Sequence, residues 1–161
     1  MTETTGYSRL QIALHWAIAA LIGVNYVMSE GMEDVFEAHM EGAATSTLTS
    51  SLHVWVGIAV LALVVLRLIL RFVQGVPAAL ESGKPMLAMA AKGTHAALYV
   101  LMLLAPVLGA IAWFGGVDAT AEIHALAVNV MMLIVLVHAA AAIFHQVVLR
   151  DGLLDRMIRG R

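Results

Sequence analysis

The sequence predicts an all-α integral membrane protein built as a four-helix bundle. Of its 161 residues, 61% are hydrophobic and 12% are charged, and the mean hydropathy of +0.91 lies well above that of water-soluble domains. The apolar residues fall into four long segments, separated by stretches rich in glycine, proline or acidic residues. Four spans of roughly 20 residues each would use most of such a chain. We therefore expect a single membrane domain over residues 1–161.

The four spans are expected at residues 10–28, 48–72, 90–114 and 122–149. The first apolar segment lacks the small-residue cleavage site of a signal peptide, so we expect a retained span there. The third segment begins earlier than a span needs, and its first residues, Met86 to Gly93, are expected to lie along the membrane interface. Pro106 and Gly109 are expected to kink the helix that follows. The connections at 29–42, 74–85 and 114–122 have the composition of loops.

Basic residues are confined to one side of the predicted bundle. All nine lie before the first span, around the loop between the second and third spans, or at the end of the chain: Arg9, Arg67, Arg71, Lys84, Lys92, Arg150, Arg156, Arg159 and Arg161. The positive-inside rule therefore predicts that both termini are cytoplasmic. Seven of the eleven acidic residues lie in the two opposite loops, so the outer face is expected to be negative.

Histidine is the residue type that indicates chemistry. Six of the seven histidines lie in or at the ends of the spans: His15, His53, His95, His124, His138 and His145. Polar side chains are costly in a bilayer and are usually functional there. A hydrogen bond between helices would explain any single one of them, but six together favour a shared binding role. Because the chain has no cysteine, any haem would be held non-covalently.

The spacing of the histidines predicts two pairs. His124 and His138 are fourteen residues apart, which puts them on one helix face about 21 Å apart along the axis. That separation suits two stacked redox centres. A haem iron with two axial imidazoles needs a second histidine from a facing helix at the same depth. His53 lies near the outer start of span two and His15 near the inner start of span one, so the pairs are His53 with His124 and His15 with His138.

Charged and small residues of the spans each have two explanations. Arg9, Arg67 and Arg71 at the inner ends can pair with haem propionates, or they can serve only to set the topology. Gly23, Gly57 and the run Ala139–Ala142 leave space for a flat macrocycle, or they simply allow helices to touch. These residues support a haem site without establishing one.

Five segments together carry a family resemblance: YSRLQIALHW (Tyr7–Trp16), LHVWVGI (Leu52–Ile58), LRLILR (Leu66–Arg71), THAALYVLMLLAPVLG (Thr94–Gly109) and HAAAAIFHQ (His138–Gln146). With these the chain resembles, over nearly its whole length, the bacterial cytochrome b561 family of di-haem membrane proteins. That family is related to the cytochrome b subunits of formate dehydrogenases and nickel–iron hydrogenases. The resemblance implies two haem b groups in a bacterial inner-membrane protein. It also implies His15 and His138 as ligands of the inner haem, and His53 and His124 as ligands of the outer haem, which is the pairing that the spacing predicts.

Two intramembrane histidines remain after this pairing, His95 at the inner start of span three and His145 seven residues beyond His138. Quinone reduction needs hydrogen-bond partners and proton donors near the carbonyl oxygens, and neutral histidines suit that role. The resemblance implies a ubiquinone site on this side. We expect His145 first and His95 second as its catalytic residues, with Lys92 and Arg150 assisting proton uptake. Alternatively, His145 and not His138 ligates the inner haem.

The resemblance implies transmembrane electron transfer but leaves the donor open. The family includes a superoxide oxidase that passes electrons from periplasmic superoxide to ubiquinone, and the short chain is similar to this stand-alone group. A superoxide:ubiquinone oxidoreductase is therefore expected. The outer loops contain acids and no Lys or Arg, which would not steer an anion and would suit a basic electron carrier.

Two alternatives to the superoxide oxidase therefore remain. One is an electron-relay subunit that takes electrons from a periplasmic redox partner, and the other is a histidine-rich transporter of a transition metal. Membrane lipid is an expected partner and nucleic acid is not, and the oligomeric state stays open.

Overall fold

A computed structural model describes residues 6–43, 47–77 and 85–160 of the chain. Within these ranges the regular structure is helical, with no strand. Four helices are long and apolar enough to cross a membrane: α1 (Arg9–Val27), α3 (Leu48–Gln74), α4 (Pro85–Gly115) and α5 (Asp118–Phe144). Two shorter helices are α2 (Met32–Met40) and α6 (Asp155–Ile158). The predicted all-α membrane bundle is confirmed.

The two ends of the bundle carry different elements. Ser8, next to the start of α1, donates to the side chain of Gln74 at the end of α3 at 2.7 Å, and Trp16 Nε1 donates to the carbonyl of Met157 in α6 at 2.8 Å. We call this end the terminal side. The opposite end carries α2 and the connection from α4 to α5, and we call it the α2 side.

Reciprocal hydrogen bonds define where two of the spans begin. At the start of α1, the Ser8 hydroxyl accepts from the backbone of Gln11, and the Gln11 side chain accepts from the backbone of Ser8. Thr47 and Ser50 form the same capping box at the start of α3. Such boxes satisfy backbone donors that a helix leaves unpaired, which matters near a membrane because few other partners are available there.

The spanning helices pack as neighbours in the order α1, α3, α4 and α5, and their outer surfaces are apolar. Ile18 of α1 packs against Val60 and Val64 of α3, and Tyr99 and Met102 of α4 add to this cluster. Large apolar side chains elsewhere are exposed, as lipid-facing residues are. α3 packs closely against α1 and α4, and α4 against α5, whereas in the described ranges α1–α5 and α3–α5 are not closely packed pairs. The backbone of α5 therefore lies further from α1 and α3 than from α4.

The structure differs from the sequence-based expectations in several places. The connection at 29–42, predicted as a loop, contains the helix α2. The helix α5 already begins at Asp118, inside the predicted connection at 114–122, and it continues as a π-helix from His145 to Leu149. The helix α4 is continuous from Pro85 and contains Pro106. Residues 78–84 of the predicted connection, with Lys84, and the terminal Arg161 lie outside the described residues.

Candidate functional site

The α2 side brings two histidines together. The ring centres of His53 on α3 and His124 on α5 lie 6.1 Å apart, with the ring planes at 88°. The Nδ1 atom of His124 lies 2.7 Å from the carbonyl oxygen of Ala105 on α4. Because a carbonyl only accepts, Nδ1 carries the proton and donates, which leaves the Nε2 lone pair of His124 free for a ligand.

Gly109 allows His124 to take this position. A Cβ atom at Gly109 would lie 3.1 Å from both Cε1 and Nδ1 of the His124 ring, closer than ordinary van der Waals contact. The ring cannot retreat easily, because its hydrogen bond to Ala105 holds it against α4. The kink expected at Gly109 stays a prediction, and in the structure this residue is where α4 closely approaches the imidazole.

His53 is held through its backbone more than through its ring. Its carbonyl accepts a hydrogen bond from Nδ2 of Asn25 on α1 at 3.3 Å, and Gly57, one turn further along α3, lies opposite the same amide. Among the described residues, the buried Nδ1 atom of His53 has no hydrogen-bond partner. A buried polar atom without a partner is rare in proteins and often marks a place where a group outside the polypeptide binds.

The terminal side brings three histidines together. The ring centres of His15 on α1 and His138 on α5 lie 6.4 Å apart at 79°. His95 on α4 lies closer to His138, with 5.2 Å between the ring centres. His145, the other histidine at this end of α5, instead contacts Asp151. The structure therefore places His138, and not His145, opposite His15.

The ring-centre distances of two of these histidine pairs fit a haem iron bound between the two rings. Each ligating nitrogen lies about 2 Å from such an iron and the ring centre about 1 Å beyond it, so two axial imidazoles have ring centres about 6 Å apart. The His53–His124 and His15–His138 pairs have this spacing, and the shorter His95–His138 distance does not. Both pairs also join α5 to a helix that does not pack closely against it. The Nδ1–H to carbonyl bond of His124 is typical of a metal-ligating histidine.

A metal ion without a macrocycle fits less well. Protein sites for such ions use three or four side-chain ligands, and no group of three His, Cys, Asp or Glu side chains in metal-binding geometry exists in residues 6–43, 47–77 and 85–160. A haem requires only the two axial ligands from the protein, because its own ring supplies the other four.

Sequence comparison identifies the family. The sequence profile of the family described as prokaryotic cytochrome b561 matches residues 6–160. The chain belongs to this family. It is therefore a haem b protein of membrane electron transfer. This membership favours haem, and not a transported metal ion, as the group that its histidines bind.

Three curated relatives support this membership over almost their full lengths. The chain is 48% identical to a Cereibacter sphaeroides protein named cytochrome b562, over 100% of both chains. It is 28% identical to cytochrome b561 homolog 1 of Escherichia coli, over 96% of this chain and 98% of the relative. It is 26% identical to a Yersinia pestis protein named "probable superoxide oxidase CybB", over 94% of this chain and 95% of the relative.

Two arginines lie beside the terminal-side histidines of this cytochrome b561 family member. Arg67 donates through Nη1 to the Gln11 carbonyl at 2.7 Å and through Nε to the Tyr99 hydroxyl at 3.2 Å. The guanidinium of Arg71 lies over the Tyr99 ring, 5.8 Å from its centre. Neither forms an ion pair with an acid among the described residues. They are thus available to haem propionates, whereas Arg9 is exposed at the start of α1.

The helix α2 rests on the end of α4, a contact that the sequence did not suggest. His39 stacks on the indole of Trp113 with the ring centres 4.4 Å apart, and Phe36 is the buried side chain of α2. Between α2 and the start of α3 lies a cavity of about 240 Å³ whose lining includes Glu30 and Ser50. Ser50 lies one helical turn before His53, so the cavity approaches the α2-side pair.

Proposed function

We propose that the chain transfers electrons across the bacterial inner membrane through two haem b groups, from superoxide on the α2 side to ubiquinone on the terminal side. The terminal side, which holds the described basic residues, is then cytoplasmic and the α2 side periplasmic. The observation that carries this proposal is the presence of two histidine pairs with the spacing of axial ligands, one at each side of the bundle.

Each pair has a role in this proposal. His53 and His124 hold the haem of the α2 side, and His15 and His138 hold the haem of the terminal side. His124 and His138 are fourteen residues apart on α5, which is about 21 Å along the helix axis, so the two pairs would hold their haems at different depths of the membrane. When bound, the haems supply one-electron redox chemistry. Arg67 and Arg71 are positioned to bind the propionates of the terminal-side haem.

The quinone site lies on the terminal side in this proposal. His145 is partly exposed and lies about 10 Å beyond His138 along the helix, where a quinone ring at the membrane edge can reach it. His95 contacts the ring of His138 and is itself exposed, so it can be reached from outside the bundle next to the proposed haem ligand. Lys92 and Arg150 are exposed at the same side, where they would assist proton uptake.

Superoxide is supported as donor by two observations. The relative named as a probable superoxide oxidase aligns over nearly all of both chains, and the lining of the cavity beside α2 includes Ser50, which lies one helical turn before His53. Two superoxide ions would yield two molecules of O₂ and two electrons. These two electrons and two protons from the cytoplasm convert one ubiquinone to ubiquinol.

A periplasmic redox protein is the second candidate donor, and the surface of α2 favours it. Five exposed acids lie on α2 or directly beside it: Glu30, Glu33, Asp34, Glu37 and Glu41. Negative charge attracts a basic partner and repels the superoxide anion. The chain would then be an electron-relay cytochrome b whose two haems and quinone site are unchanged.

Two measurements on the purified protein test the proposal. The haem-to-protein ratio is expected to be two, with Soret and α bands that respond to reduction. Rapid mixing of the oxidised protein with superoxide is expected to reduce haem, and added ubiquinone is expected to reoxidise it. A ratio of one would contradict the two pairs, and haem that superoxide leaves oxidised would favour the redox-protein donor.

A further inference from the structure

Asp151 lies against His145 at the terminal side. Its Oδ2 atom is 2.5 Å from His145 Nδ1, and its Oδ1 atom accepts a hydrogen bond from the backbone N–H of Leu153 at 3.0 Å. Both carboxylate oxygens are therefore engaged, one by the imidazole and one by the backbone. Such double anchoring fixes the direction in which the carboxylate faces the ring.

The end of α5 has an unusual backbone that makes this contact possible. On a regular helix, residues six apart lie on different faces and about 9 Å apart along the axis. Here the π-helix from His145 to Leu149 is followed by Arg150 in the left-handed region, with φ of 52°. The chain turns back there, and Asp151 reaches the side chain of His145. π-helical turns of this kind are frequent at functional sites.

The segment that carries Asp151 is anchored next to the terminal-side histidines. Trp16, the neighbour of His15, donates to the carbonyl of Met157. Gly160 lies against the carbonyl of Tyr7, and a Cβ atom there would be 3.0 Å from that oxygen. The segment from Asp151 to Gly160 therefore returns to α1 and holds the His145–Asp151 contact beside the proposed quinone site.

The hydrogen bonds at this contact favour the ionised form of the Asp151 carboxylate. Burial raises the pKa of Asp151, but the hydrogen bonds from His145 and from the N–H of Leu153 outweigh it and hold the pKa below its usual value. Since this carboxylate then only accepts, Nδ1 of His145 carries the proton and Nε2 is the free nitrogen. The other acid of the segment, Asp155, pairs with Arg159 at 4.0 Å.

We propose that Asp151 is the positioning residue of the quinone site, acting through His145. It fixes the tautomer and the orientation of His145, so that Nε2 can take a proton from the cytoplasm and give it to a quinone carbonyl oxygen. This inference rests on the proposed quinone reduction. Each ubiquinone takes up two electrons and two protons, His145 returns to its neutral form after each transfer, and Asp151 stays ionised throughout.

The kinetic test follows haem reoxidation after the chemically reduced protein is mixed with a short-chain ubiquinone. Asp151→Asn keeps an acceptor for Nδ1–H but removes the charge, and we expect reoxidation to slow about 10- to 100-fold. Asp151→Glu is expected to recover part of the rate. Asp155→Asn is the matched control, because it removes an acid of the same segment that pairs with Arg159 instead, and it should react at the wild-type rate.

A double variant separates a positioning role from a general loss of structure. If Asp151 acts through His145, the variant with both His145→Gln and Asp151→Asn is no slower than His145→Gln alone. Wild-type reoxidation in Asp151→Asn, or multiplication of the two single effects, would overturn the inference. Wild-type reoxidation in His145→Gln would instead overturn the proposed quinone site, and the inference with it.

A spectroscopic readout that does not depend on turnover completes the test. The reduced, diamagnetic protein is labelled with ¹⁵N-histidine and its NMR spectrum is recorded. The Nδ1 proton of His145 should resonate at low field because it is hydrogen-bonded to a carboxylate. The signal should be lost in His145→Gln and should move upfield in Asp151→Asn, while Asp155→Asn leaves it in place. A wild-type spectrum in which no low-field Nδ1 signal depends on Asp151 would remove the basis of the inference.

Discussion

The two histidine groups at opposite sides of the bundle are built differently. On the α2 side, His53 and His124 form a pair in which the ring of His124 is fixed by the Ala105 carbonyl and by Gly109. On the terminal side, the pair of His15 and His138 is joined by a third histidine, by arginines and by the contact between His145 and Asp151. The α2 side is suited to electron transfer alone. The terminal side also holds groups that can exchange protons, as quinone reduction requires.

The largest expected effect is the loss of one haem at a time. Replacing His53 or His124 by alanine should remove the haem of the α2 side, because one axial ligand is lost, and should leave the other haem bound. Replacing His138 should do the reverse. The measurement is the haem-to-protein ratio, expected to fall from two to one in each variant. His145→Ala should keep both haems, and full haem content in His138→Ala would contradict the pairing and favour His145 as ligand.

A smaller effect is expected where α4 meets His124. Gly109→Ala places a methyl group 3.1 Å from a ring that its hydrogen bond prevents from moving away. Overpacking of this kind costs about 1–3 kcal/mol, so haem affinity on the α2 side should fall roughly 5- to 150-fold. The change in haem affinity is measured as haem retention during dilution or during competition with apo-myoglobin.

Gly93→Ala is the matched control for that substitution. Gly93 also lies on α4, but a Cβ atom there meets nothing within 4 Å, so the haem of the α2 side should bind as in the wild type. Equal haem retention in the two glycine variants would show that the contact between Gly109 and His124 does not constrain the site.

A change of a few fold is expected when the charge of α2 is removed. A variant with Glu33→Gln, Asp34→Asn and Glu37→Gln should be reduced faster by superoxide at low ionic strength, because less negative charge repels the anion. The gain should disappear at high salt. If the donor is a basic protein, the same variant should instead be reduced more slowly by it. Asp155→Asn, on the terminal side, should leave the rate of haem reduction unchanged.

The smallest expected effect is on the reduction potential of one haem. Arg67 acts electrostatically on both His15 and His138, and a positive charge favours the reduced iron. Arg67→Gln should therefore lower the potential of the terminal-side haem by about 30–60 mV and leave the α2-side haem in place. A redox titration of the α bands resolves the two haems. An equal shift of both potentials would mean that Arg67 is not specific to the terminal side.

Sequence patterns were sufficient for the four spans and for the proximity of His53 to His124 and of His15 to His138, but not for the contact of His95 with His138. Hydropathy shows where helices must cross lipid, and a spacing of fourteen residues on a straight helix gives His124 and His138 a common face. Both features depend on local helix geometry, which the sequence determines directly. The ring distances of 6.1 and 6.4 Å agree with the pairing that the spacing predicted, and haem ligation at these pairs stays a prediction.

The features that sequence patterns did not predict depend on long-range contacts or on irregular backbone. The helix α2 is short and acidic, and it is held by the stacking of His39 on Trp113, residues far apart in the chain. The approach of Asp151 to His145 depends on a π-helix and a left-handed residue, which no periodicity indicates. The role of Gly109 appeared only once the His124 ring was placed beside it.

Rapid mixing of the His138→Ala variant with superoxide, followed by ubiquinone, tests the direction of electron flow most directly. In the wild type, superoxide should reduce both haems and ubiquinone should reoxidise them. In His138→Ala, superoxide should still reduce the remaining haem of the α2 side, but ubiquinone should leave it reduced for at least ten times longer. Reoxidation of this variant by ubiquinone at the wild-type rate would contradict a path that runs from the α2-side pair through the terminal-side pair to the quinone.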